Sequence, residues 1–350
     1  MTHSKTRQYD ERLHQMLRYK RPHGSKTEAQ WIERFIMPYN PYDVDDAAHI
    51  ITVPNTDGTA SMTLFSCHTD TVHRADGMQR IRYDRKKQVY FKDDKEPLGA
   101  DDAAGAWVML EMIDAGVPGC YVFHRGEECG GLGSSHLAKQ HPDFLNTFNY
   151  AVAFDRRGST SVITHQGYGR CCSDVFAQAL ADAINADEVS MYAPDDTGVF
   201  TDTANYTGII PECTNLSCGY ANEHSGNETL HLPTLFALRD ACIRIDWSSL
   251  PVDRDPTVVE RYDFKSLYGG YDFNVHTYDY GGKKDKGAAY RLLYTMSRSE
   301  MLDMAYADPE TFVAMVREEL FDEVPTGNDR ERLRQGIGGY YSDDDYWSNY

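Results

Sequence analysis

No apolar run in this chain of 350 residues approaches the roughly 20 needed to cross a bilayer. The charged stretch Met1 to Lys20 also lacks the apolar segment of a secretory signal. Both absences point to a cytoplasmic protein. Basic residues are scarce: 35 Lys and Arg against 54 Asp and Glu leave a net charge of −19. Such a surface repels phosphate backbones and anionic membranes, which argues against nucleic acid or a membrane as partner. The eight cysteines include no Cys-x-x-Cys pair, so a thiolate zinc site lacks its usual spacing. Their places inside apolar runs suit buried, reduced thiols. Cys67 and Cys129 adjoin candidate site residues, which keeps thiol ligation or nucleophilic catalysis as a minor alternative. There is no repeat of solenoid period.

What is present is enough apolar sequence, 41%, for a substantial core. Amphipathic stretches at 8–19 and 27–36 predict helices, separated by the break Arg21-Pro22-His23-Gly24. From about Ile50, short apolar runs alternate with helical periods. Strands are expected at 62–67, 119–124, 149–154, 160–165 and 213–219, and helices at 102–114, 132–140, 172–184 and 233–247. This alternation predicts an α/β layered domain with a largely parallel sheet, whose ligand-binding residues sit at the carboxyl ends of strands. A boundary is expected near 250. It divides a catalytic domain, 1–250, from an extension, 251–350, rich in Tyr, Asp and Gly, with helices near 287–305 and 309–322 and a mobile acidic tail at 339–350.

Each expected strand delivers acidic or histidine residues at its end. His68-Thr69-Asp70 follows Thr63 to Cys67, and period-two alternation puts His68 and Asp70 on one side. His68 is thus a candidate metal ligand and Asp70 the partner that fixes its ring. Gly99-Ala100-Asp101-Asp102 leads into an apolar helix; Asp102 suits a helix cap, which leaves Asp101 free to bridge two cations. Glu127-Glu128 follows Tyr121-Val122-Phe123, a place where one carboxylate can ligate while its neighbour acts as general base. Asp155 follows Ala151 to Phe154, and His224 stands after Leu216 to Tyr220. All of these are zinc-compatible residue types.

In this order the motifs resemble the di-zinc exopeptidases of the MH clan, which include aminopeptidases, tripeptidases, glutamate-type carboxypeptidases and related deacylases. The resemblance covers roughly 45–248 and is closest at His68-Thr69-Asp70, Gly99 to Asp102 and Glu127-Glu128. It implies a three-layer α/β/α domain with a mostly parallel mixed sheet, followed here by a C-terminal extension. It also implies two Zn²⁺, or Co²⁺ or Mn²⁺ in their place. His68 and Asp155 would hold one ion, Glu128 and His224 the other, with Asp101 as bridge and an Asp-Asp peptide that is often cis. Glu127 would activate a metal-bridging water, and Asp70 would orient His68. The 69 positions from Asp155 to His224 leave no room for a dimerisation lid, and the 33 from His68 to Asp101 none for the inserted domain of the large tetrahedral aminopeptidases. The expected enzyme is therefore an aminopeptidase-like hydrolase of terminal peptide bonds, acting on a peptide or small amide substrate. A homo-oligomer is left open.

Two rival readings stand beside it: a carboxypeptidase or N-acyl amino acid deacylase on the same scaffold, and a non-catalytic binding or assembly module that keeps the fold. Arg156-Arg157 departs from the family pattern; pairing with surface acids is preferred over binding a substrate carboxylate. Thr201-Asp202-Thr203 reads as a turn, with a place near the metals or the orienting of a ligand as the alternative. Tyr220, Asn222 and Ser225 are weaker candidates for substrate contact. His73, His124, His165 and His231 read as structural.

Overall fold

The computed structural model describes residues 9–258 apart from 167–168. The expected helices at 287–305 and 309–322 and the acidic tail lie outside the described residues, as does nearly all of the expected extension. Two helices lead the described chain, α1 (Glu11–Leu17) and α2 (Lys26–Phe35), each begun by a side-chain cap, Asp10 on Leu13 N and Ser25 on Glu28 N. Eight strands follow, with further helices between them: β1 (Tyr42–Val44), β2 (Ala48–Val53), β3 (Thr63–His68), α3 (Ala100–Asp114), β4 (Gly119–His124), α4 (Leu132–Gln140), β5 (Tyr150–Arg156), β6 (Ser161–Ile163), α5 (Asp174–Ile184), β7 (Ala193–Asp195), β8 (Glu212–Ser217) and α6 (Leu232–Arg244).

The eight strands form one sheet in the order β7-β6-β8-β5-β3-β4-β2-β1. Its centre, β8-β5-β3-β4, is parallel throughout, while β2 joins β4 and β6 joins β8 antiparallel. The mostly parallel mixed sheet is therefore as expected, and the four central strands end along one edge. Strands β1, β2 and β7 lie outside the expected set, as does a small separate sheet that pairs 82–84, 89–91, 220–221 and 229–231.

Side-chain alternation makes two cores. Phe65, Cys67, Tyr121, Phe123, Val152 and Phe154 face the side covered by α3, α5 and α6. Leu64, Cys120, Val122 and Ala151 face the other side, with Leu137 of α4 and Tyr206. Helix α3 is buried on nearly every side, as its Ala-Ala-Gly-Ala-Trp-Val-Met-Leu run requires. Gly105 sets its distance from the sheet: a Cβ there would meet the Phe154 carbonyl oxygen at 2.1 Å. That close approach brings the start of α3 against the end of β5.

Candidate metal centre and catalytic site

The parallel centre of the sheet places the ends of β3, β4 and β5 side by side, and the first turn of α3 beside them. His68, the last residue of β3, is buried. Its Nε2 lies 3.0 Å from Asp101 Oδ1 and 3.6 Å from Asp155 Oδ1. The other oxygen of Asp101, Oδ2, lies 3.0 Å from His224 Nε2, which is in turn 3.2 Å from Glu128 Oε1. The five candidate ligands thus converge from five segments. The two oxygens of Asp101 face different imidazoles, and each imidazole has a further carboxylate of its own. The Asp101–Asp102 peptide is cis.

Asp102 is spent elsewhere. Its Oδ1 accepts from Gly105 N at 2.8 Å, the capping bond of α3, and its Oδ2 accepts from His68 N. Asp70 does more than the sequence suggests. His68 Nδ1 is 3.2 Å from the Asp70 backbone carbonyl and 3.5 Å from its carboxylate. The carboxylate itself accepts the N–H groups of Gly126, Glu127 and Glu128 at 3.0, 3.1 and 3.2 Å. One buried side chain therefore serves β3 and the turn that carries both glutamates.

Two contributing residues, Glu228 and Asn215, are not singled out from the sequence. Glu228, buried beside the centre, accepts from the backbone N–H groups of Leu98, Gly99, Ala100 and Asp101 and so holds the loop that presents Asp101. Asn215 exchanges two hydrogen bonds with the Asp155 backbone. Thr201 Oγ1 donates to Asp155 Oδ2 at 2.6 Å and Tyr220 OH to Oδ1 at 3.0 Å. Thr201 thus orients a candidate ligand, against the preferred reading of a simple turn, and Asp202 starts a buried 3₁₀ turn in which it lies 3.3 Å from His124 Nδ1. Tyr220 acts on Asp155, while Asn222 and Ser225 close the turn around His224 through Ser225 Oγ and the Asn222 carbonyl. Both Asn222 and His224 have left-handed backbones, φ 56° and 60°. Such torsions are uncommon outside glycine and cluster where function demands them.

A cavity of about 340 Å³ opens on the cluster, lined among others by Glu127, Arg156, Ile163, Phe200 and Tyr220. Arg157 pairs with Glu223 at 3.0 Å, the surface pairing preferred from the sequence. Arg156 differs: it donates to the Thr197 carbonyl and hydroxyl and has no carboxylate partner among the described residues. All eight cysteines are free, and only Cys129 is exposed. None belongs to a potential ligand group among the described residues, and burial pushes the Cys67 thiol well up.

Electrostatics show what the cluster needs. Burial, with the Asp101 charge, raises Asp155; burial also raises Glu128 and pushes Glu127 well above the ordinary carboxylate range. Burial works the same way on Asp101, but hydrogen bonds from His224 and His68 outweigh it and hold its carboxyl low. The Asp101 and Glu128 carboxylates close to its Nε2 raise the His224 imidazole to about 11. Protons therefore compensate a packed set of carboxylates that divalent cations would compensate better. Glu128 Oε1 is buried and has no hydrogen-bond donor, with His224 Nε2 close by but not aligned as one. Two imidazoles, three carboxylates and that orphaned oxygen fit a metal centre.

The model of peptidase family M28 matches residues 49–208, a stretch that holds His68, Asp101, Glu127, Glu128 and Asp155 and stops short of His224. Over that stretch the chain is similar to a family of metallopeptidases, consistent with the di-zinc exopeptidase superfamily. Its class is hydrolase, metallo-exopeptidase. No curated protein matches significantly. Among solved structures, the peptidase domain is similar to the aminopeptidase PepT of Bacillus cereus, with TM-score 0.52 and 16% identity over 66% of this chain and 95% of that one. It is likewise similar to a Staphylococcus aureus tripeptidase, with 0.55 and 13% over 66% and 95%. The TET1 peptidase of Pyrococcus horikoshii gives 0.50 and 16% over 67% and 99%. At these identities the likeness is one of fold. Among the described residues no helix is long and apolar enough to cross a membrane.

Proposed function

We propose that the peptidase domain is an aminopeptidase-like hydrolase that uses two divalent ions of the zinc class. His68 and Asp155 hold one ion and Glu128 and His224 the other, with Asp101 as bridge. The observation that carries this is the division of the Asp101 oxygens between His68 and His224, each 3.0 Å away. When bound, such ions polarise a scissile carbonyl and lower the pKa of water. Glu127 is beside them, in the same potential ligand group as His68 and Glu128; burial raises its proton affinity, while cations at the site would favour the ionised form a base requires. It is placed to take a proton from the attacking water and deliver it to the leaving amine. Asp70 holds the Glu127 backbone for this task, and Tyr220 and Thr201 hold Asp155.

One observation favours a second reading. Arg156 lines the cavity without an acid partner, and a guanidinium there suits the carboxylate of a C-terminal residue or an acyl amino acid. A substrate panel separates the two. Free-amine peptides, N-acyl amino acids and C-terminal glutamate conjugates are offered to protein stripped with a chelator and restored with Zn²⁺ or Co²⁺. Cleavage of free-amine peptides that depends on the restored metal supports the aminopeptidase; cleavage of blocked amino groups alone contradicts it. The TET1 peptidase of Pyrococcus horikoshii can assemble into a tetrahedron or a large octahedral shell. We extend to this chain the coarser expectation of a homo-oligomer, which a sedimentation mass of one chain would contradict.

A further inference from the structure

Asp45, His136 and His141 form a second cluster that shares no residue with the catalytic centre and lines no part of its cavity. We propose that this cluster is a separate metal site for a borderline divalent ion such as Zn²⁺, Co²⁺ or Ni²⁺. The three side chains come from three places in the fold. Asp45 sits in the three-residue connection between β1 and β2, where Asp45 and Asp46 both have left-handed backbones, φ 53° and 59°, and Ala47 N donates to the Val44 carbonyl at 2.8 Å. That is the tight hairpin turn whose shape the flanking strands fix. Asp46 adds an anchor by pairing with Arg125, which also reaches Glu28. His136 lies within α4 and His141 is its C-cap.

The donor atoms converge. His136 Nε2 is 3.0 Å and His141 Nε2 3.2 Å from the same oxygen, Asp45 Oδ2, and all three atoms lie within 4.8 Å of one another. A tetrahedral ion with bonds of 2.0–2.1 Å has ligands about 3.3 Å apart, so little movement is needed to admit one. Hydrogen bonding to a turn carboxylate would be satisfied by one ring. Here two imidazoles use the same nitrogen, and His141 caps the carbonyl end of α4, where the helix dipole favours a cation. Side-chain exposures of 36% and 38% for the histidines and 61% for Asp45 leave room for water to complete the coordination. The mixed imidazole and carboxylate set selects transition ions over Mg²⁺ and Ca²⁺, which prefer oxygen alone.

The test is metal stoichiometry on the full chain, stripped with a chelator and dialysed against micromolar Zn²⁺ with Mg²⁺ in excess. Wild type is expected to hold one more ion per chain than His136→Ala/His141→Ala. Asp45→Asn, on an exposed turn where folding is not at stake, should weaken that ion about ten-fold or more. Equal zinc content in wild type and the histidine variant overturns the proposal, as does an Asp45→Asn isotherm identical to wild type. The catalytic ions are read separately by His68→Ala/His224→Ala, so failure of one site is distinguishable from failure of the other.

Discussion

Asp70 joins two parts of the centre through one carboxylate. Three backbone N–H groups of the 126–128 turn end on it, and its main chain receives His68 Nδ1. An amide cannot replace it, because its nitrogen would face donors. Asp70→Asn is expected to lower metal affinity 10- to 100-fold, the usual cost of losing an outer partner, and to lower kcat with it; wild-type zinc affinity by isothermal titration would refute this. His73 makes a different prediction. Its Nε2 faces the Pro97 carbonyl and Gln79 Oε1, both acceptors, and its Nδ1 faces the Thr71 hydroxyl, an arrangement for neutral imidazole. Burial pushes it down from 6.5 to about 4. Between those values the unfolded chain takes up a proton that the folded chain refuses, so the stability present above pH 6.5 falls as pH drops toward 4. The urea midpoint of wild type should therefore fall more steeply over that window than that of His73→Gln, and parallel profiles would count against it.

At the scale of elements, the buried strands are legible because largely apolar runs such as Thr63 to Cys67 and Gly119 to Phe123 continue over five residues. Helix starts were legible for the same local reason, as with Asp102 capping α3. Short strands such as β1 and β7 were not, since three residues carry no period. Glu228 is not legible for another reason: its partners Leu98 to Asp101 are about 130 positions away in the chain, and nothing around Asn227-Glu228-Thr229 announces that pairing. Thr201 reads as a turn in the sequence because its bond to Asp155 exists only once β5 and the 3₁₀ turn meet. The Leu98–Asp101 loop depends on Glu228 in a way that can be measured. Glu228→Gln keeps the shape but removes the charge that four N–H groups share, each such bond being worth about 1.5–3 kcal/mol. The variant is expected to unfold at a lower temperature and to bind zinc more weakly, with Glu228→Asp intermediate; an unchanged melting curve and metal content would contradict the assigned role.

Over the whole molecule, the fold gathers carboxylates at one sheet edge in a chain whose net charge is already −19. Such a gathering is costly without cations, so zinc added to stripped protein should raise its melting temperature, with the rise growing as the logarithm of free zinc above its Kd. The parallel strands β3, β4 and β5 explain why residues as far apart as 68 and 155 meet, and α6 with the small sheet explains how His224 returns to them. Glu127 is the point at which this architecture becomes chemistry. The most direct test is Glu127→Gln, assayed for bound metal and for peptide hydrolysis on the same preparation. The variant is expected to retain the metal content of wild type while kcat falls by about 10²–10⁴. Hydrolysis at the wild-type rate with metal bound would contradict the account.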